Sequence, residues 1–192
     1  SFKNGKVTTL PSVNTIADGT AVKTPGSNIF PYIKKNLDDI ITVEDDELIV
    51  AFLDMVENHK MIVENSGLLT VAALKHLGVK DKRVVSILSG GNMDVITMSS
   101  VVQQGLIFRD RIFTVSVLLP DKPGELAKVA QTLADVQGNV IKLEHNQFVT
   151  TNRSAAVELR ITLECFGTEH KEQIIAALEK KGYKPRIVRT MI

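Results

Sequence analysis

The sequence predicts an α/β protein built as two domains in tandem. A layered α/β domain is expected over residues 1–108, and a ferredoxin-like α+β sandwich over residues 111–192. Three observations carry this. Before residue 105, amphipathic helical stretches alternate with unbroken apolar runs, the pattern of strands buried on both faces. After residue 111 the order strand, helix, strand occurs twice in succession. The bulk composition, 44% hydrophobic and 23% charged over 192 residues, suits a folded core.

The first 32 residues are loop-rich, with Pro11, Pro25, Pro31, Gly5, Gly19 and Gly26. IITV (40–43) reads as a short buried strand. DDELIVAFLDMVENH (45–59) reads as a helix with acids in its first turn, where the helix dipole favours them. Its apolar stripe is Leu48, Ala51, Phe52, Met55 and Val56. SGLLTVAALKHLG (66–78) is a second helix, with Ser66 as N-cap and Gly78 as terminator. RVVSIL (83–88) reads as a buried strand, and after Ser89-Gly90-Gly91-Asn92 a third helix runs to about Gly105.

In the second domain, FTVSVLL (113–119) alternates, with Phe113, Val115, Val117 and Leu119 on one face. PGELAKVAQTLADVQG (123–138) is helical, with Pro123 near its first position and Leu126, Val129, Ala130 and Leu133 as its stripe. Strands follow at 139–148 and 156–166. The next helix spans 168–181 and closes at Gly182, and 184–190 is the last strand. One face of this sheet is expected wet and the other covered.

Charge and composition exclude several functions. The net charge is +1, without a basic block, so no nucleic-acid partner is expected. No apolar run approaches the ~20 residues of a membrane span, so no membrane partner is expected either. A single cysteine, Cys165, allows no internal disulfide and fits a cytoplasmic setting. It falls on the apolar face of its strand, which reads as core. The four histidines lack metal-ligand spacing, so no metal is expected. No G-x-S-x-G elbow is present. The chain opens on Ser1 rather than methionine, as a trimmed or cut chain would.

Four stretches could carry chemistry. SILSGGN (86–92) takes a strand through two glycines into a helix, where free N–H groups and the Ser89 hydroxyl face a ligand position. Spacing alone favours a plain tight turn, since this is no P-loop. DKPGEL (121–126) is either an ordinary capping loop or a set of amides for a small carboxylate ligand. TIADGTAVKTPG (15–26) holds an Asp-Gly turn in a long loop. Glu64 stands just before a helix, where such acids are mostly solvated or cap-related.

Taken in order, SFKNGK (1–6), TIADGTAVKTPG, MIVENSG (61–67) and VVSILSGGN (84–92) resemble the C-terminal half of the catalytic domain of threonine dehydratases. These are pyridoxal-phosphate-dependent threonine ammonia-lyases of the tryptophan-synthase-β, or type II, fold. Serine dehydratases and serine racemases share that half. The run FTVSVLLPDKPGELAKVAQTLADVQGNVIKLEH (113–145) onward resembles an ACT domain, a small ferredoxin-like module that senses amino acids. The stretch 111–192 has room for one such module.

The resemblance implies that threonine loses its Cα proton and β-hydroxyl and ends as 2-oxobutanoate and ammonia, with pyridoxal phosphate as cofactor. It implies that Ser89, followed by Gly90, faces the pyridine nitrogen, and that Asp18, Gly19 and Glu64 lie near the cofactor. It places an effector, isoleucine or valine, around Asp121, Pro123, Gly124, Glu125 and Leu126. Asn139 and Val140 would close that pocket across a dimer interface. The family's cofactor-binding lysine is followed by one residue and then Arg-Gly. Lys3 is followed by Asn4, Gly5 and Lys6, so it fails that pattern. The glycines before Ser89 (5, 19, 26, 67 and 78) are isolated, and no phosphate-cradling run appears. No catalytic residue is therefore assigned, and the expectation is a C-terminal portion of a threonine dehydratase, inactive alone and forming a dimer or tetramer. The alternatives are a free-standing amino-acid sensor and an assembly module.

Overall fold

The computed structural model describes residues 1–146 and 157–191. Its internal contacts divide the chain into two compact units, residues 1–102 and 103–192.

The first unit is helical. α1 (Phe30–Asn36) carries Pro31 in its opening turn, where a missing N–H costs nothing. α2 (Asp45–Asp54) begins with a capping box, in which the Glu44 side chain takes the Glu47 N–H and the Glu47 carboxylate takes the Glu44 N–H. Glu47 also holds Lys75 at 2.7 Å and His76 at 3.0 Å, and its carboxyl is lowered to about 2, first by the Lys75 hydrogen bond. A wider π turn, Met55–His59, extends α2 and stops at Lys60 in the left-handed region. The expected stripe of α2 is the core: Leu48, Ala51, Phe52 and Met55 are buried, with Val56 at the edge.

The expected helix over 66–78 is a composite. A 3-10 turn (Asn65–Leu68) leads into α3 (Leu69–Ala72) and a second 3-10 turn (Ala73–His76). Ser66 is not its N-cap. Glu64 holds that place, and the Gly67 N–H bonds back to the Glu64 carbonyl at 2.9 Å. That tightened turn carries Ser66 inward, where its Oγ is buried without a partner. Gly78 does end the run, at φ +57. α4 (Val95–Phe108), which begins in the first unit and continues past residue 102, starts after Asp94, whose Oδ1 accepts the Ile96 and Thr97 N–H groups at 2.9 and 3.0 Å. It runs past the expected end at Gly105.

Neither expected strand of this unit forms. IITV (40–43) and RVVSIL (83–88) are loop, and Val85 and Ile87 are 88% and 73% exposed. An apolar run becomes a strand only beside a ladder partner, and every described strand belongs to the second unit. The 83–88 segment is instead held by side chains: Thr70 Oγ1 donates to the Ile87 carbonyl at 2.9 Å and Ser86 Oγ to the Thr70 carbonyl at 3.3 Å.

The second unit is the expected α+β sandwich. Its elements are β1 (Ile112–Leu119), α5 (Glu125–Asp135), β2 (Asn139–Asn146), β3 (Val157–Glu164), α6 (Thr168–Lys180) and β4 (Arg186–Val188). The sheet order is β2-β3-β1-β4, with all neighbours antiparallel. Phe113, Val115, Val117 and Leu119 of β1 and Leu159, Ile161 and Leu163 of β3 face Val129 and Leu133 of α5 and Ile174 and Leu178 of α6. Cys165 lies in the same core.

Details differ from the sequence pattern. In α5 the buried positions are Val129, Thr132 and Leu133, while Leu126 and Ala130 are exposed. Pro123 precedes the helix, and its N-cap is Gly124 at φ +90 with no side-chain cap, so Asp121 does not cap it. The open sheet face is polar yet partly closed. Thr114 and Thr162 share a hydroxyl contact at 3.0 Å, and Ser116 donates to Glu158 at 2.6 Å. β4 spans three residues rather than seven. The expected strand residues Gln147, Phe148 and Ala156 lie outside the described residues.

Candidate functional site

Three loops of the first unit meet at glycines. The Asp18–Thr20 3-10 turn brings Gly19 against the ENSG stretch. A Cβ on Gly19 would fall 2.8 Å from Ser66 Oγ and 3.7 Å from Glu64 Oε1. Gly67 presses on the Ser89 carbonyl, which a Cβ there would meet at 1.8 Å. Gly90 stands at φ +79, and its Cβ would fall 2.2 Å from Glu64 Cδ. Only glycine permits all three approaches.

Hydrogen bonds fix the same junction. The Glu64 N–H donates to the Gly90 carbonyl at 3.3 Å, and the Asn92 N–H donates to Glu64 Oε2 at 3.3 Å. Asn65 Nδ2 donates to the Ile16 carbonyl at 3.1 Å, tying the ENSG turn to the loop leading to Asp18 and Gly19. Asp18 Oδ1 accepts the Gly19 N–H at 2.8 Å. Of the sequence-derived residues, Gly19, Glu64, Ser89 and Gly90 are thus brought together, with Asp18 one residue away. Asp18 and Ser89 are exposed, and Glu64 is half-buried.

Sequence reasoning missed Asn65, Ser66 and Gly67. The signal was a polar Asn-Ser pair directly before an apolar helix, which reads as a surface cap. Here Asn65 is buried, with its Oδ1 unpartnered.

In the second unit, Asp121, Pro123 and Gly124 lie in the exposed turn between β1 and α5, and the half-buried Glu125 and exposed Leu126 open α5 itself. Glu125 holds Lys128 at 2.7 Å. Asn139 and Val140 are elsewhere. Asn139 pairs with Glu164, which pairs with Ile112, whereas the turn follows Leu119, which pairs with Val157. The two groups lie at opposite ends of β1, roughly 23 Å apart at about 3.3 Å per residue. One copy of the chain does not bring them together.

Lys3 is exposed. His76 bonds Glu47, and His170 accepts from the Phe166 N–H at 3.1 Å while meeting the Val136 carbonyl at 2.6 Å. Among the described residues, no three His, Cys, Asp or Glu side chains are grouped to hold a metal ion. Among them, too, no helix is long and apolar enough to cross a membrane.

The chain thus combines a three-loop glycine junction in its first unit with a ferredoxin-like α+β module in its second. Residues 1–90 match the family of pyridoxal-phosphate dependent enzymes, and residues 113–182 match the ACT domain. An L-threonine ammonia-lyase of Geobacter sulfurreducens is 37% identical over 185 residues, covering 95% of this chain and 46% of that protein. One from Thermotoga maritima is 33% identical over 189 residues, covering 98% and 47%. The processed form of threonine deaminase isoform 2 from Solanum lycopersicum superposes with a TM-score of 0.50 at 28% identity, over 53% of this chain and 31% of that one. Residues 1–90 thus match a pyridoxal-phosphate dependent enzyme segment and residues 113–182 an ACT domain, and the chain is similar to L-threonine ammonia-lyases over nearly its whole length. It spans about half the length of the curated relatives it matches.

The residues fit one side of such a cofactor. Gly67 packs against the Ser89 carbonyl, Glu64 is fixed against Gly90, and the exposed Ser89 carries a hydroxyl that can donate or accept.

Proposed function

We propose that this chain supplies the pyridine-nitrogen side of the cofactor site of a threonine ammonia-lyase, together with its amino-acid-sensing domain at 111–192. The observation that carries this is the convergence of Gly19, Glu64 and Gly90 beside Ser89, with an ACT domain following in the same chain. Bound there, pyridoxal phosphate would supply the electron sink for loss of the Cα proton. Ser89 would meet the ring nitrogen with a neutral hydroxyl, which leaves that nitrogen largely unprotonated. Gly19 and Gly90 would let the backbone approach the ring, and the half-buried Glu64, held by the Asn92 N–H, would keep the two loops in register.

The chain does not turn over threonine by itself in this reading. Lys3 lies outside the family's lysine string, and the isolated glycines offer no phosphate cradle. Isoleucine or valine binds at the 121–126 turn of one copy, and Asn139 and Val140 of a second copy close the pocket. The opposed placement of the two groups within one chain supports a homo-oligomer. The compartment is the cytoplasm, consistent with a lone buried thiol.

Calorimetry of the chain with isoleucine, valine and threonine tests the sensing half. Saturable heat with a branched amino acid is expected. Silence with all three would leave an assembly module.

A further inference from the structure

The second unit holds a cleft of about 490 Å³ that none of the site residues above lines. Small-molecule sites span roughly 300–1,000 Å³. Its aliphatic wall is Ile107, Ile112, Ile187 and Met191, of which Ile187 and Met191 are 56% and 67% exposed. The polar wall holds Gln103 and Gln104 from the end of α4, the Asp110–Lys171 pair, and Arg189 just after β4.

The charges on that wall are not equivalent. Asp110 is fully engaged: Oδ1 accepts from Lys171 Nζ at 2.7 Å and Oδ2 from Thr168 Oγ1 at 2.8 Å. The Lys171 ammonium also lies 5.7 Å from the centroid of the Phe113 ring. That pair cancels. Arg189 is exposed and makes no ion pair among the described residues. Among the described residues the cleft therefore offers a net positive charge, two side-chain amides and aliphatic surface, with no side-chain carboxylate left free.

The geometry points to a binding site for a short-chain 2-oxo acid in this cleft. The carboxylate would take the Arg189 guanidinium, which suits planar carboxylates. The keto oxygen would take the Gln103 or Gln104 amide, and the alkyl chain would cover Ile107, Ile187 and Met191. An α-amino acid fits poorly, because its ammonium finds both Asp110 oxygens occupied. The site is separate from the 121–126 turn and stands independently of the threonine-lyase reading.

Titration of the full chain with 2-oxobutanoate, followed by calorimetry and by NMR, tests it. Saturable binding is expected. Arg189→Gln should weaken it about tenfold, the scale of one charge-assisted contact. Met191→Asp should weaken it similarly, by placing a like charge beside the ligand. Both side chains are exposed, so unchanged circular dichroism is expected for both. Isoleucine should leave the bound 2-oxobutanoate in place. Absence of saturation, unchanged affinity in both variants, displacement by isoleucine, or equally strong displacement by inorganic phosphate would each overturn the assignment.

Discussion

Glu64 and Gly90 occupy one another's space. The Glu64 N–H reaches the Gly90 carbonyl at 3.3 Å, and the Glu64 carboxyl carbon sits 2.2 Å from where a Gly90 Cβ would stand. Gly91, the next residue, meets only the Ile62 carbonyl, at 3.9 Å.

The two glycines should therefore respond differently to alanine. Gly90→Ala combines a positive φ with a clash. It should destabilise the first unit by about 1–3 kcal/mol and displace the Glu64 carboxylate. Gly91→Ala should stay within about 0.5 kcal/mol of the parent. Urea denaturation of both variants checks this, and equal losses would contradict it.

Leu159 is fully buried on β3, at the centre of the core cluster of the second unit. Leu159→Ala should cost about 2–5 kcal/mol through lost burial and the cavity left behind. Thermal unfolding should show the loss.

Lys171 first, then Thr168, hold the Asp110 carboxyl below the usual carboxylate range. A depressed folded value contributes stability that is present above about pH 4 and lost as pH falls through that depressed value. Asp110→Asn should cost about 1 kcal/mol at pH 7, since both partners are partly solvated. The gap from the parent should close below pH ~4. The asparagine still tolerates φ +52 there, so backbone strain adds little. Denaturation at several pH values reads the difference.

Burial pushes the Cys165 thiol up, and its Sγ donates to the Asp110 carbonyl at 2.7 Å. Alkylation of the native chain at pH 7 should be at least about tenfold slower than in denaturant. Mass spectrometry over time measures this, and comparable rates would place Cys165 outside the core.

The second unit was legible because its period-2 and period-3.6 patterns are complete within the chain, so each strand finds its partner. The first unit was read correctly where signals are local, as at Asp45–Asp54 and Gly78. It was misread where they are not. Val84, Val85 and Ile87 look like a buried strand, but among the described residues no strand pairs with them. The candidate residues Gly19, Glu64 and Gly90 came from resemblance rather than pattern. A glycine needed for a close approach looks, in sequence, like a glycine in a turn. Asn65 escaped because no local signal tells a buried amide clamp from a surface cap.

The most direct measurement is threonine turnover by the purified 192-residue chain supplied with pyridoxal phosphate. The account predicts no 2-oxobutanoate beyond what free cofactor produces. Sustained production proportional to chain concentration would contradict it.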